Sequence, residues 1–334
     1  MRSRQDWYTM TRLPIYDGYE SATSTIAFFR RSGFALIEAT GLDTVDFLQG
    51  MVTSDVKALA AEASQRAAML DIKGHILADV ILHRRDKSIF IETDHRTLNR
   101  VIETLNRYII MEDVTLSDRT SDFASFSLFG PEADELIGSP EILSIIDGSG
   151  WTVHRNPVEL HRYDIWVPSG LGDRLYDYFV QSKIKEISDE TYEVLRVEAG
   201  DAAWGSELTE AILLPEAEIP DIVSYTKGCY VGQEIIARLH SRGHTNRVLR
   251  QVLFPLTDDA ISAGSLIYIE GEDREVARVT SVVQSPKFNG AWLALAYVRI
   301  SIADIETRQS DKIIEPDGNT RHVEFSVLRK HVLP

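Results

Sequence analysis

The spacing of apolar positions changes along the chain, and those changes predict most of its elements. "FALIEAT" (Phe34–Thr40) has the pattern of a strand and stops at Gly41. "LDTVDFLQG" then reads as a short helix, begun at Asp43 and ended by Gly50. "AAMLD" and "ILADVILH" are strand-like and are joined by "IKGH", with Gly74 as the turn residue. "SIFIET" is a further strand. From Asp94 the period lengthens, and Leu98, Val101, Ile102, Leu105 and Ile109 recur at helical spacing. "VTLSDR" and "FASFSLFG" restore strands. "PEADELIG" predicts a helix with Pro131 in its first turn, "YDIWVP" a strand and "GDRLYDYFVQSK" a helix. "SDETYEVLRVEAG" carries a full set of helix signals: Ser188 as N-cap, Asp189 and Glu190 in the first turn, Gly200 at the stop.

Strands and helices therefore mix without the strict β-α-β-α rhythm of a parallel sheet, which predicts an α+β fold with mainly antiparallel sheets. The segment "DAAWGSELTEAILLPEAEIPDIVSYT" has little period and reads as a long ordered loop, a feature often tied to function. After Asn246 the strands become short and evenly spaced: "RVLRQVLF", "SLIYIE", "EVARVTSVVQ", "WLALAYVRI" and "HVEFSVLR". They predict a small antiparallel β-barrel. The expected division is residues 25–245, with two interleaved α+β lobes, and residues 246–334, the barrel.

Composition narrows the function. The 334 residues hold a single cysteine, which excludes an internal disulfide and a self-contained four-cysteine zinc or iron–sulfur site, and suggests a reducing compartment. A net charge of -16 repels nucleic acid and anionic membranes, so neither is expected as a direct partner. The first twenty residues lack the apolar core of a secretory signal, and no stretch has the length and apolarity of a membrane span; a cytoplasmic protein is expected. No heptad or long apolar stripe is present, which favours a monomer. The chain has no G-x-S-x-G elbow, no G-x-G-x-x-G after a strand, no Walker loop and no H-E-x-x-H. His240 and His244 are four apart, but Gly243 between them argues against a shared helix face, and no metal site is expected.

Candidate chemistry gathers in "KGCYVGQE" (Lys227–Glu234). A lone cysteine is most simply a small buried hydrophobe. Here Gly228 and Gly232 permit tight turns and close approach to a ligand, and a helix starting near Val231 puts Cys229 at its N-terminus. Helix N-termini and nearby lysines both stabilise a thiolate, so Cys229 and Lys227 form a candidate reactive pair. Between Lys227 and Arg250 the cations Lys227, Arg238, Arg242, Arg247 and Arg250 face one acid, Glu234. That is either a solvated face paired with acidic neighbours or a cradle for an anionic ligand, with Arg238 and Arg247 as contacts. Glu198 falls among the apolar positions of its helix, near Val194 and Leu195, and its buried carboxylate requires partners: an arginine, or two parallel N–H donors of a flat heterocycle.

Together these residues resemble the YgfZ-type folate-binding proteins, relatives of the glycine-cleavage T-protein (aminomethyltransferase). "KGCYVGQE" resembles that family's signature, "GLDTVDFLQGMVTSDV" the start of its folate-binding domain, "RVEAGDAAWGSEL" its pterin-site segment and "GHTNRVLR" the lead into its terminal barrel, over roughly residues 25–330. The resemblance implies a three-lobed fold around a central opening that binds tetrahydrofolate or another reduced folate. It implies that Glu198 holds the pterin ring and that Lys227 and Cys229 belong to the site. It further implies an accessory protein that assists synthesis or repair of iron–sulfur clusters in client enzymes, with a link to tRNA modification through such a client. The alternative is a folate-dependent one-carbon transferase, an aminomethyltransferase or demethylase. Against it, the aspartate that T-proteins use in methylene transfer falls on Leu98 or Asn99, the last two residues of "ETDHRTLN" (Glu92–Asn99), and neither side chain takes up a proton as a carboxylate does. Cys229 also stands where T-proteins carry an acidic residue.

Overall fold

The computed structural model describes residues 15–85, 87–140, 142, 152–156, 161–256, 261–269, 274–303 and 309–328. Strand β1 (Ala27–Arg30) opens one sheet, and the chain leaves it at once to build a second from β2 (Phe34–Thr40), β3 (Ser64–Leu70), β4 (Ile76–Arg84), β5 (Ser88–Asp94) and β6 (Thr115–Asp118). It then returns to the first with β7 (Phe123–Phe129), β8 (Thr152–Asn156), β9 (Arg162–Pro168) and β10 (Lys185–Glu186). The strand orders are β10-β1-β7-β9-β8 and β3-β4-β5-β2-β6. Apart from the short parallel β1/β10 pair, all of these pairings are antiparallel. This is the α+β, T-protein-like class that the sequence predicts.

Strand alternation divides the work of each sheet. In the second sheet, Ile37, Val80, Leu82, Ile89 and Ile91 point to one side, where they pack with Leu48 of the helix Thr44–Met51 and with Val101 and Leu105 of the helix Leu98–Tyr108. In the first sheet, Phe28, Phe126 and Ile165 pack with Leu175 and Phe179 of the helix Ser169–Gln181. The opposite faces of the two sheets meet each other. Part of that layer is apolar: Phe34, Leu36 and Trp166 are buried, and the Trp166 ring lies 4.8 Å from Phe123 and 5.2 Å from Phe90. The rest of it is charged and encloses a cavity.

The helix Asp189–Ala199 follows. Ser188 Oγ accepts the Thr191 N–H at 3.2 Å, and Gly200 closes the helix at φ 71°, as its sequence signals require. The chain ends in β11 (Arg247–Phe254), β12 (Leu266–Ile269), β13 (Ala277–Ser285), β14 (Ala291–Arg299), β15 (Gln309–Ile314) and β16 (Thr320–Val327), closed as β11-β14-β13-β12-β15-β16. The sequence patterns anticipate five of these six strands. The missing one, β15, reads "QSDKII", whose polar first half hides it. β1, the five-residue β8 and the two-residue β10 are also missed, because so few residues give no period. Pro131 lies outside its helix, which runs Ala133–Ile137 with Glu132 as N-cap.

One buried acid joins helix to barrel. Glu207, 0% exposed, accepts from Arg196 Nη1 at 2.8 Å, Thr280 Oγ1 at 2.6 Å, Ser281 Oγ at 2.7 Å and the Ala203 N–H at 3.1 Å. Removing one partner of a buried pair leaves the other uncompensated, at a cost of about 3–5 kcal/mol. Glu207→Ala is therefore expected to lower unfolding free energy by that amount in urea titrations, whereas a loss below about 1 kcal/mol, the scale of an exposed pair, contradicts this role.

Candidate functional site

Between the two sheets lies a cavity of about 560 Å³. β4 and β5 contribute Asp79, Glu92 and Asp94 to it, β9 contributes Arg162 and Asp164, and the helix Asp189–Ala199 contributes Tyr192, Glu193 and Arg196. Its wall is a chain of opposite charges. Arg31 Nη1 lies 2.6 Å from Glu92, and Arg31 Nε 3.9 Å from Asp164. Arg162 reaches Asp164 at 2.9 Å and Asp201 at 3.4 Å. Arg66 lies 3.5 Å from Asp201 and grips Asp79 with two bonds of 3.0 and 2.6 Å. Four carboxylates thus alternate with three guanidiniums. His83, fully buried, extends the chain from Glu92 at 3.0 Å to Ser64 at 2.7 Å.

Burial alone would raise the carboxyl pKa values in this chain, but the cations overcome it. Arg31 and His83 hold Glu92 well below the ordinary range, and Arg162 and Arg31 lower Asp164 despite the nearby Glu92. At the rim, the side chain and backbone N–H of Arg96 hold Asp94 ionised against its partial burial. Aromatic surface completes the wall: Phe29 and Tyr192 both line the cavity and stack at 4.5 Å and 20°.

The five residues singled out in the sequence do not converge on this cavity. Glu198 is buried as expected, at 5% exposure, but its partners are internal. Tyr19 Oη donates to Oε2 at 2.6 Å, while Ser285 Oγ and the Lys287 N–H, at 3.1 Å, donate to Oε1. Its carboxylate is committed to tying its helix to the barrel. Lys227 Nζ donates to three main-chain carbonyls, those of Gln49 at 2.6 Å, Val52 at 2.8 Å and Ser54 at 2.7 Å. Burial pushes the Lys227 pKa down to about 8, with Asp55 opposing the shift. The lysine closes the C-terminal end of the helix Thr44–Met51 and pins the signature loop there. The following helix runs Gln233–Arg242, two residues later than predicted. Gly232 sets that start: its φ is 85°, and a Cβ there would stand 2.6 Å from the Asp71 carbonyl.

Cys229 is exposed, and Arg238 is exposed on that helix. Arg247 makes a two-bond pair with Glu216 at 3.0 and 3.1 Å, and Arg250 meets Glu218 at 2.6 Å. Much of the basic segment is thus paired with acids of the preceding loop. His240 stacks on Tyr225 at 3.8 Å, and His244 lies beyond the helix. The cavity's own charges escaped sequence reasoning because Arg66, Asp79 and Glu92 sit at polar positions of alternating strands, a pattern that ordinarily marks a solvent face.

Two sheets with a charged cavity between them, a helix lining that cavity and a terminal barrel make up a T-protein-like fold. Residues 5–142 match the GCVT N-terminal domain family. Among solved structures the chain is similar to the glycine cleavage system aminomethyltransferase T from Bartonella henselae, with TM-score 0.80 and 20% identity over 93% of this chain and 87% of that one. Among curated proteins it is similar to the tRNA-modifying protein YgfZ of Sodalis glossinidius, 27% identical over 231 residues, 65% of this chain and 68% of that protein. It is also similar to the iron–sulfur cluster assembly factor IBA57 homolog, mitochondrial, of Mycosarcoma maydis, 26% identical over 239 residues, 66% of this chain and 55% of that protein. Among the described residues, no helix is long and apolar enough to cross a membrane.

Two outcomes follow from this geometry. Lys227→Met orphans three carbonyls, each worth about 1–3 kcal/mol when left without a partner in the interior. A stability loss of about 2–4 kcal/mol by urea titration is expected, and a loss below about 0.5 kcal/mol removes the lysine's structural role. The carboxylates Glu92, Asp94 and Asp164 have lowered pKa values in the folded state. Their contribution is present above the unfolded value of about 4 and is lost as pH falls through the lower folded values. The midpoint of urea unfolding should therefore fall steadily from about pH 5 to pH 2, and a flat profile there contradicts the network's contribution.

Proposed function

We propose that the protein is a reduced-folate-binding accessory factor for iron–sulfur enzymes, with tetrahydrofolate or another reduced folate in the cavity between the sheets. The cavity is the observation that carries this reading. Its volume of about 560 Å³ lies in the ~300–1,000 Å³ range of small-ligand sites. The stacked Phe29–Tyr192 pair offers a flat surface to a pterin ring. Glu193, whose side chain is 42% exposed, pairs with Arg196 through both oxygens and keeps its outer lone pairs for the ring's N–H donors, and Arg96, 49% exposed at the rim and paired with Asp94, suits the carboxylates of the folate tail. Glu198 then acts indirectly, by fixing the helix that carries Tyr192 and Glu193. The iron–sulfur context is supported by the two curated relatives, whose names concern tRNA modification and iron–sulfur cluster assembly. Cys229 lies outside the cavity wall and is exposed, so we assign it to the client: as one ligand of a cluster in transit, or as a mixed-disulfide partner.

A one-carbon transferase is the second reading, favoured by carboxylates of the "ETDHRTLN" stretch that do line the cavity. Both Glu92 and Asp94, however, are held ionised by arginines, which makes them poor proton shuttles.

Isothermal titration with tetrahydrofolate tests the proposal. Tyr192→Ala should weaken binding about tenfold, or ~1.4 kcal/mol, near the upper end for an aromatic contact. Cys229→Ser should bind folate as the parent does while losing support of an iron–sulfur client in cells. No competition by any folate form ends the folate reading. Methyl-group turnover near ~1 per second, the low end of ordinary enzyme rates, replaces it with the transferase.

A further inference from the structure

A second cavity, of about 490 Å³, lies against the outer wall of the barrel. Its lining includes Arg247, Arg274, Arg278 and Arg299, with Glu275 as the acid, in a chain whose net charge is -16. The strand register brings three of these cations onto one face. Arg247 of β11 stands directly opposite Arg299 of β14, and Arg278 of β13 stands opposite Tyr297, two residues from Arg299. Like charges placed opposite one another across strands are destabilising unless something neutralises them.

The carboxylates nearby do so only in part. Glu216 neutralises Arg247, whose guanidinium also lies 5.1 Å over the Tyr297 ring. Glu275 stands 3.5 Å from Arg278, and both side chains are about half exposed, at 51% and 43%. Arg299 Nε donates to the Glu275 carbonyl at 2.6 Å, and its guanidinium has no carboxylate within ion-pair distance among the described residues. Arg274, which is exposed, has none either. Among the described residues, two acids thus stand against four guanidiniums around one concave surface. Guanidinium groups present forked N–H pairs that match the oxygens of phosphate.

We propose that this barrel cavity binds the phosphate groups of a small phosphorylated molecule, independently of the cavity between the sheets. The register fixes the cations on adjacent strands of a closed barrel, so the site is preorganised, and a ligand supplies the missing negative charge. Cavity size favours a small molecule over an extended polyanion.

Inorganic pyrophosphate is the probe, titrated into the full chain by calorimetry with inorganic phosphate and citrate in parallel. Pyrophosphate is expected to bind at one site and more tightly than phosphate. The exposed-site double variant R274Q/R278Q should weaken it at least tenfold, and Arg299→Lys, which keeps the charge but loses the fork, by a smaller factor. Arg238→Gln, on a separate helix, serves as the control and should change nothing. Binding should weaken as salt is raised. Failure to bind pyrophosphate overturns the proposal, as do equal loss in Arg238→Gln and tighter binding of citrate. RNA oligonucleotide binding that depends on Arg274 and Arg278 without any pyrophosphate binding also overturns it and replaces the small ligand with a nucleic acid. Tetrahydrofolate affinity should be the same in R274Q/R278Q as in the parent, so failure here is separable from failure of the folate reading.

Discussion

The interaction on which the two-sheet layer depends is the alternating chain Glu92–Arg31–Asp164–Arg162–Asp201–Arg66–Asp79. Two sheets could have packed face to face through an apolar layer alone, as they do around Trp166. Instead part of the layer is ionic. Isolated buried charges are costly, and each is tolerable only because the charges next to it carry the opposite sign. The chain therefore fixes the spacing of the sheets while leaving polar groups exposed to the space between them. A cavity with such a wall does not collapse, because closing it would desolvate charges that the network alone cannot fully satisfy.

Around that layer the remaining parts act as braces. Arg196 and Glu207 bind the helix Asp189–Ala199 to the barrel, and Glu198 does the same on the helix's other side through Tyr19, Ser285 and the Lys287 N–H. Lys227 holds the signature loop onto the end of the helix Thr44–Met51. The most conspicuous sequence motif therefore contributes first to architecture. Its lysine and second glycine are fixed by backbone contacts, while Cys229 and Glu234 are exposed. Cavity and thiol are distinct features joined by one scaffold.

Local physics made much of the fold legible from the residues alone. Ser188 and Gly200 bound their helix because an N-cap hydroxyl and a left-handed stop act within one turn. Gly74 marked the β3–β4 turn, and evenly spaced strands after Asn246 announced a barrel. Burial of Glu198 followed from helix periodicity with Val194 and Leu195. What the sequence could not supply was the partner of each charged group. Glu198 faces Tyr19, 179 positions away, and Arg31 faces Asp164 from a different strand of its sheet and Glu92 from the other sheet. Alternation shows that a strand has two unlike faces, but it does not show whether the polar face meets water or another sheet. Here it meets another sheet, so residues patterned like a surface became a cavity wall. Likewise the run of cations from Lys227 to Arg250 was compatible with either a ligand cradle or a face paired with acids, and folding paired Arg247 with Glu216 and set it opposite Arg299. Periodicity is a property of neighbours along the chain, whereas counter-ions are chosen in space, and only the tertiary structure made that choice.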